Sequence, residues 1–317
     1  MSTYFEKNVK PKHRDAYWED GKVFILGREG YHLSDEINWL DDPFDHRSWR
    51  WLFNNFKWMD TLLHRYLFEG DIASMEKCVD YFSSWYSFYI LGERDGEFLW
   101  KDDAVSFRAF RIAVIAKYIM DSSDATDAKK EMASEAVRLH YNELMDEKKF
   151  KRNNHGLFQV RGLMTLSVIH SDTVSVENAA AYAEKKINYL WLQQYGTQGL
   201  HLENSTGYHQ LTIKEFDEII KSPEFSDVKF VYDADDVAKA VDNTKYLYHP
   251  NGISTLFGDS NLTIKKNLPK IIGDKIFNEA GYAFLAGHDN SENNSYLAVR
   301  TGFPSNIHRH SDDFSLT

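Results

Sequence analysis

Apolar side chains return every three or four residues through most of this chain, a spacing that lines one face of a helix and is wrong for a strand. One stripe passes through Trp49, Leu52, Phe53, Phe56, Met59 and Leu63, a second through Val79, Phe82, Tyr86 and Tyr89, and a third through Phe107, Phe110, Val114 and Tyr118. Four more follow: Val137, Tyr141 and Leu144; Leu157, Val160, Leu163 and Ser167; Ala183, Ile187, Leu190 and Trp191; Thr212, Phe216, Ile219 and Ile220. Joined by modest loops, they predict antiparallel helical hairpins across residues 1–245.

The pattern changes after Lys245. Gly, Asn and Pro now punctuate short aromatic or β-branched runs at 246–248, 254–257, 282–285 and 296–301, which predict strands. So few strands cannot bury a sheet face alone. Residues 246–317 therefore read as a linker and the start of an incomplete β domain. Its remaining strands would come from residues absent from this chain, from the helical domain or from another chain.

At 317 residues, 43% of them hydrophobic, the chain can bury one large core or two ordinary ones. Cys78 is the only cysteine, which excludes an intrachain disulfide and a thiolate metal cage and suits a buried structural thiol. With 48 acidic against 37 basic side chains the net charge is −11, which disfavours broad capture of nucleic acid but leaves room for a local basic groove. The N-terminus lacks the apolar core of a secretory signal, and no run approaches membrane-spanning length. As written, the chain is expected to be cytoplasmic with no membrane partner; a leader removed beforehand would instead make it periplasmic or secreted.

In a hairpin array, the segment before the first helix and the loops after the second, fourth and sixth emerge at one end. These are residues 38–48, 91–103, 146–155 and 195–208, and they hold most of the unusual polar and aromatic clusters. Asn153-Asn154-His155-Gly156 opens a helix: one Asn serves as N-cap, while His155 sits at the positive helix end, where its proton affinity should fall. His201-Leu202-Glu203-Asn204-Ser205-Thr206-Gly207-Tyr208-His209 leads into another helix that Ser205 or Thr206 could cap, yet it is denser in titratable groups than solvated surface requires.

In Trp100-Lys101-Asp102-Asp103 the acids suit a first helical turn, and Arg108 and Arg111 either pair with them or, for Arg108, clamp a carboxylate or sulfate. Trp39, Trp49, Trp51 and Trp58 read either as core or as sugar-stacking platforms. In His308-Arg309-His310-Ser311-Asp312-Asp313 the two histidines, two residues apart on a strand, share a face suited to catalysis or metal binding.

The order of these segments, with Asn38-Trp39 and Asp42-Pro43-Phe44-Asp45 before them, resembles the heparinase II/III and alginate lyase superfamily of polysaccharide lyases over almost the whole chain. The resemblance implies a mainly α fold, an incomplete (α/α) toroid followed by a large antiparallel β-sandwich of which only the first strands are present. It implies β-elimination on a uronic-acid-containing anionic polysaccharide, the expected partner. Elimination needs a group that neutralises the uronate carboxylate, a base for the C5 proton and an acid for the departing O4.

By resemblance, Asn154 binds the carboxylate, assisted by His155 or His308, and Tyr208 protonates O4. Either Tyr208 or His155 takes the C5 proton, according to the sugar's stereochemistry. Arg108 and Glu203 are candidate substrate-binding residues. The chemistry requires no cofactor. His310 resembles the first ligand of a structural zinc, whose other ligands would lie beyond Thr317. The alternative reading is a non-catalytic or truncated glycan-binding or capsule-assembly protein that keeps the toroid groove.

Overall fold

The computed structural model describes residues 15–34, 36–203, 205–266, 271, 273–288, 294–302 and 315–316. It opens on an element that helical spacing does not predict. Strands β1 (Ala16–Glu19) and β2 (Lys22–Ile25) form an antiparallel hairpin, and β3 (Tyr31–His32) pairs with β2. Asp20 and Gly21 turn the hairpin with φ of 48° and 77°, the two positive angles whose twist matches that of the flanking strands. Alternation then buries Ala16, Trp18, Val23 and Ile25 on one face.

The helices follow in the expected order: α1 (Arg47–Asn54), α2 (Asp60–Glu69), α3 (Ile72–Tyr86), α4 (Asp102–Asp121), α5 (Asp127–Met145), α6 (Asn154–Ile169), α7 (Val176–Gln194), α8 (Thr206–Ile220) and α9 (Ala234–Asn243). The first apolar stripe, unbroken in sequence, is broken in space. Phe56 takes a left-handed φ of 65°, and a 3₁₀ turn (Lys57–Met59) separates α1 from α2. That turn seats a fully buried ring 5.5 Å from Trp39 and 5.7 Å from Trp85. Between α2 and α3, Gly70 at φ 73° ends one helix, and the Asp71 carboxylate accepts the Ser74 N–H to start the next.

Contacts divide the chain into two compact units, Met1–Glu184 with Ser222–Val228, and Lys185–Lys221 with Lys229–Thr317. In the first, Trp39, Trp49, Phe53 and Trp58 stack at 4.9–6.5 Å and are fully buried. These three tryptophans are core, which corrects the sugar-platform reading for them; Trp51 is half-buried against Phe107. Cys78 is buried here, as expected. Arg111 donates two hydrogen bonds, at 2.8 and 2.7 Å, to the Asp60 carboxylate. Burial pushes that carboxyl up, but Arg111 and Lys57 more than offset this and hold it below its ordinary range. α4 and α6 approach so closely that a Cβ at Gly162 would lie 2.6 Å from the Ser106 carbonyl oxygen.

The second unit holds an antiparallel sheet in the order β4 (Lys275–Phe277), β5 (Tyr282–His288), β6 (Asn294–Arg300) and β7 (Ser315–Leu316). Phe277, Tyr282, Phe284 and Ala298 face inward onto Leu200, Leu247 and Phe257, while Ile276, Leu285 and Leu297 are exposed. The strands expected at 246–248 and 254–257 are not regular. A 3₁₀ turn (Thr244–Leu247) and the single bridges Tyr248↔Ser254 and Ile253↔Ile264 stand there, because side-chain bonds rather than a ladder tie this stretch to α8. Among the described residues no helix is long and apolar enough to cross a membrane.

Candidate active site

Of the predicted site residues, Asn154 and His155 belong to the first unit, and Glu203 and Tyr208 to the second. α6 begins at Asn154, with Asn153 as N-cap: its side-chain oxygen accepts the His155 N–H at 3.0 Å. The preceding loop folds back over this turn. Buried Gln159 accepts from the Lys151 N–H at 2.9 Å and donates to the Lys149 carbonyl at 3.1 Å. Only glycine fits at 156, since a Cβ there would lie 2.1 Å from the Lys151 oxygen. Asn154 is thereby held nearly buried, at 7% exposure, on the first turn of the helix.

His155 is a third exposed, and its Nδ1 lies 2.6 Å from the Asp102 carboxylate at the start of α4. Burial pushes Asp102 up, but the His155 hydrogen bond and the charges of His155, Lys101 and Lys151 hold it below its ordinary value. An ionised carboxylate only accepts, so Nδ1 carries the hydrogen of this bond. In the neutral ring the lone pair is then on Nε2. Sequence reading took Asp102 only as a first-turn acid. Fifty-three residues separate it from His155, and nothing local in the sequence announces the pairing.

Arg108 is not a substrate clamp. It is fully buried, and its guanidinium is committed: Nε donates to His140 Nε2 at 2.9 Å and Nη1 to the Asn54 and Phe98 carbonyls at 2.9 and 3.3 Å, while Nη2 donates to Leu99. Its plane lies 4.7 Å from the Trp85 ring and 5.7 Å from Trp100. His140 accepts at Nε2, so its Nδ1–H donates to the Ala136 carbonyl at 2.8 Å. Burial and the neighbouring guanidinium push His140 well below the usual range, and burial brings Arg108 down to about 9. Its role is to hold the 98–99 segment that leads into Asp102.

In the second unit, Glu203 is 3% exposed, and burial raises its carboxyl to about 7. Tyr208 lies in the first turn of α8, half-buried; burial first, then the Asp259 and Glu203 carboxylates, push its phenol up. The shift disfavours the phenolate, the form that a base needs. His209 does not oppose this. It is buried, its Nδ1 accepts the His201 N–H at 3.3 Å, its Nε2–H donates to the Ala240 carbonyl at 2.9 Å, and burial lowers it to about 4, so it is neutral. His201 is buried against Tyr195, ring centroids 5.3 Å apart. His201 and His209 are thus framework of the α8 entry.

The N-cap position of α8 is Ser205, as one of the two sequence readings has it, but its side chain makes no capping bond. Ser260 Oγ accepts the Gly207 N–H instead, at 3.0 Å. Asn204, His308 and His310 lie outside the described residues. Among those described, no group of three or more His, Cys, Asp or Glu side chains gathers to hold a metal ion.

A heparan sulfate lyase, HepC from Pedobacter heparinus, superimposes with a TM-score of 0.64 over 92% of this chain and 50% of its own length at 18% identity. A heparinase III superimposes with a TM-score of 0.66 over 88% of this chain and 50% of its own at 17% identity, and another does so with 0.64 over 90% and 52% at 18%. The chain thus spans about half the length of these structures, and at such identity the likeness is one of fold: a mainly α, incomplete (α/α) toroid followed by the first antiparallel strands of a β domain. No curated protein matches in sequence. The model of the heparinase II/III N-terminus matches residues 15–279, most of the chain, and the chain belongs to that family.

Proposed function

We propose that this protein is a polysaccharide lyase acting on a uronate-containing anionic glycan by β-elimination. The observation that carries the reading is the Asp102–His155 pair beside Asn154 at the start of α6, a hydrogen-bonded base next to an amide on the positive end of a helix. Asn154 donates its amide N–H to the uronate carboxylate, reducing the charge that opposes a carbanion at C5. His155 Nε2 takes the C5 proton, and Asp102 holds Nδ1–H and stabilises the imidazolium that forms. The C5–H electron pair becomes the C4–C5 double bond as the C4–O4 bond breaks. O4 leaves with the Tyr208 phenolic proton. Transfer of a proton from His155 to the phenolate through solvent restores both groups.

Glu203 offers a buried carboxyl for a sugar hydroxyl, and His308 is assigned to the carboxylate on resemblance alone. A structural zinc with His310 as one ligand belongs to the β domain in this reading, and no step runs through it.

The test is the rise of unsaturated-uronate absorbance on alginate, heparan sulfate, chondroitin and bacterial capsule polymers. Wild type should cleave at least one of them. Asp102→Asn and Tyr208→Phe should each lower kcat by on the order of a hundredfold or more while glycan binding persists. Glycan binding without any unsaturated product from the wild-type chain would sink the catalytic reading and favour a binding protein.

A further inference from the structure

One side chain far from every motif converges on the turn that carries Tyr208. Ser260, in an irregular stretch after the last helix, is 53 residues from Gly207, yet its hydroxyl receives the Gly207 N–H at 3.0 Å. The same oxygen lies 3.1 Å from Ser205 Oγ and 2.8 Å from Thr206 Oγ1, and its own hydrogen goes to the Phe257 carbonyl at 2.5 Å. Thr206 Oγ1 also reaches the Thr255 carbonyl at 2.8 Å, and in each of the two hydroxyl pairs with Ser260 either oxygen can be the donor.

Ser205 is the N-cap by backbone geometry, φ −143° and ψ 128°, and a serine there normally accepts from the helix itself. Here that function passes to Ser260. A cap alone would not need a partner from across the unit, because Ser205 could turn inward and serve. What the arrangement adds is a fixed place for the 257–261 segment against the first turn of α8. Asp259 rides on that segment, next to Ser260. Asp259, on the segment after the last helix, and Glu203, on the loop before α8, are among the groups whose charge bears on Tyr208.

We propose that Ser260 is a positioning residue for Tyr208, tying the 257–261 segment to the first turn of α8 so that the phenol and the Asp259 carboxylate keep a fixed relation. The consequence is a proton-holding device assembled from two stretches of chain. Asp259 opposes formation of the phenolate, so the acid stays loaded until a departing oxygen takes its proton. This rests on the lyase reading for its purpose, but the coupling itself can be read without turnover.

The test uses the full chain carrying ¹³Cζ-tyrosine, with Tyr208→Phe identifying the Tyr208 signal among the 18 tyrosines. In Asp259→Asn, loss of the negative neighbour should move the Tyr208 titration to lower pH. Ser260→Ala should move it the same way by freeing the segment, and Ser260→Thr, which keeps the hydroxyl, should restore it. Where the wild type cleaves a polymer, Asp259→Asn should shift the alkaline limb of kcat downward. Ser260→Ala should lower kcat roughly ten- to a hundredfold with KM nearly unchanged.

A purely structural serine would change stability and leave the Tyr208 titration in place. An unmoved titration in either Asp259→Asn or Ser260→Ala overturns the proposal even if the enzyme is active. A wild type that cleaves nothing, with the Asp259→Asn shift intact, overturns the lyase reading and leaves the coupling standing. If Ser260→Ala fails to fold, Ser260→Cys, which fills the same space with a weaker hydrogen-bonding group, takes its place.

Discussion

A carboxyl group sealed from water resists ionisation, and Glu203 is one: unfolded its value is near 4.5, and folded it is about 7. Below the lower value both states hold the proton. As pH rises from about 4.5 to about 7 the unfolded chain releases a proton that the folded chain keeps, so this group's contribution to stability falls, by roughly 3 kcal/mol at most. His209 acts in the opposite sense. Its folded value of about 4 lies below the ordinary 6.5, so its contribution is complete above the ordinary value and is lost as pH falls towards 4. The two trends partly cancel in the wild type, and the Glu203→Gln variant separates them. Relative to wild type it should gain urea resistance between about pH 5 and about pH 8; equal midpoints at both would show that Glu203 ionises freely. At this scale the sequence displayed the chemistry and hid the pairing. His155 and Tyr208 were visible as titratable groups at helix starts, whereas the Asp102 partner of the one and the Asp259 neighbour of the other are set by tertiary approach. Arg108 was misread for the same reason, since three backbone carbonyls that claim a guanidinium leave no trace in the side-chain sequence.

Between elements, two glycines that look alike in sequence should behave differently when a methyl group is added. Gly162 lies where α6 meets α4, with the Ser106 carbonyl oxygen 2.6 Å from the methyl position, so Gly162→Ala must push two helices apart and should cost about 1–3 kcal/mol in a thermal or urea melt. Gly207 has nothing nearer than 3.5 Å, and Gly207→Ala should be close to neutral. Equal losses would mean that the α4–α6 approach is not the constraint. Helical spacing made α3 to α8 legible because each stripe is packed against a neighbour. It could not expose the break at Phe56, where the apolar rhythm continues through a reversal that only the ring's destination explains. The hairpin at Ala16–Ile25 was legible in principle, since Asp-Gly between two alternating tetrapeptides is a strong short-range signal. Residues 246–257 misled because aromatic and β-branched residues satisfy a strand pattern even when each packs individually against a helix.

For the molecule as a whole, the last helical turn ends at Leu247 and the second sheet begins at Lys275. A net charge of −11 is unfavourable for the anionic substrate proposed above, and Lys101 and Lys151, whose charges act on Asp102, are local exceptions beside the His155 pair. The Ser260–Gly207 bond also bears on the order in which the chain folds. Its two ends are 53 residues apart, so closing it costs more chain entropy than any contact within α8, and the bond should form only after the stretches it joins are in place. Ser260→Ala, at a cost of about 1 kcal/mol, should therefore speed unfolding in a stopped-flow chevron and leave the refolding arm where it is. A slowed refolding arm would mean that the turn bearing Tyr208 is built early; an unchanged one would make it among the last parts of the protein to set and the first to loosen.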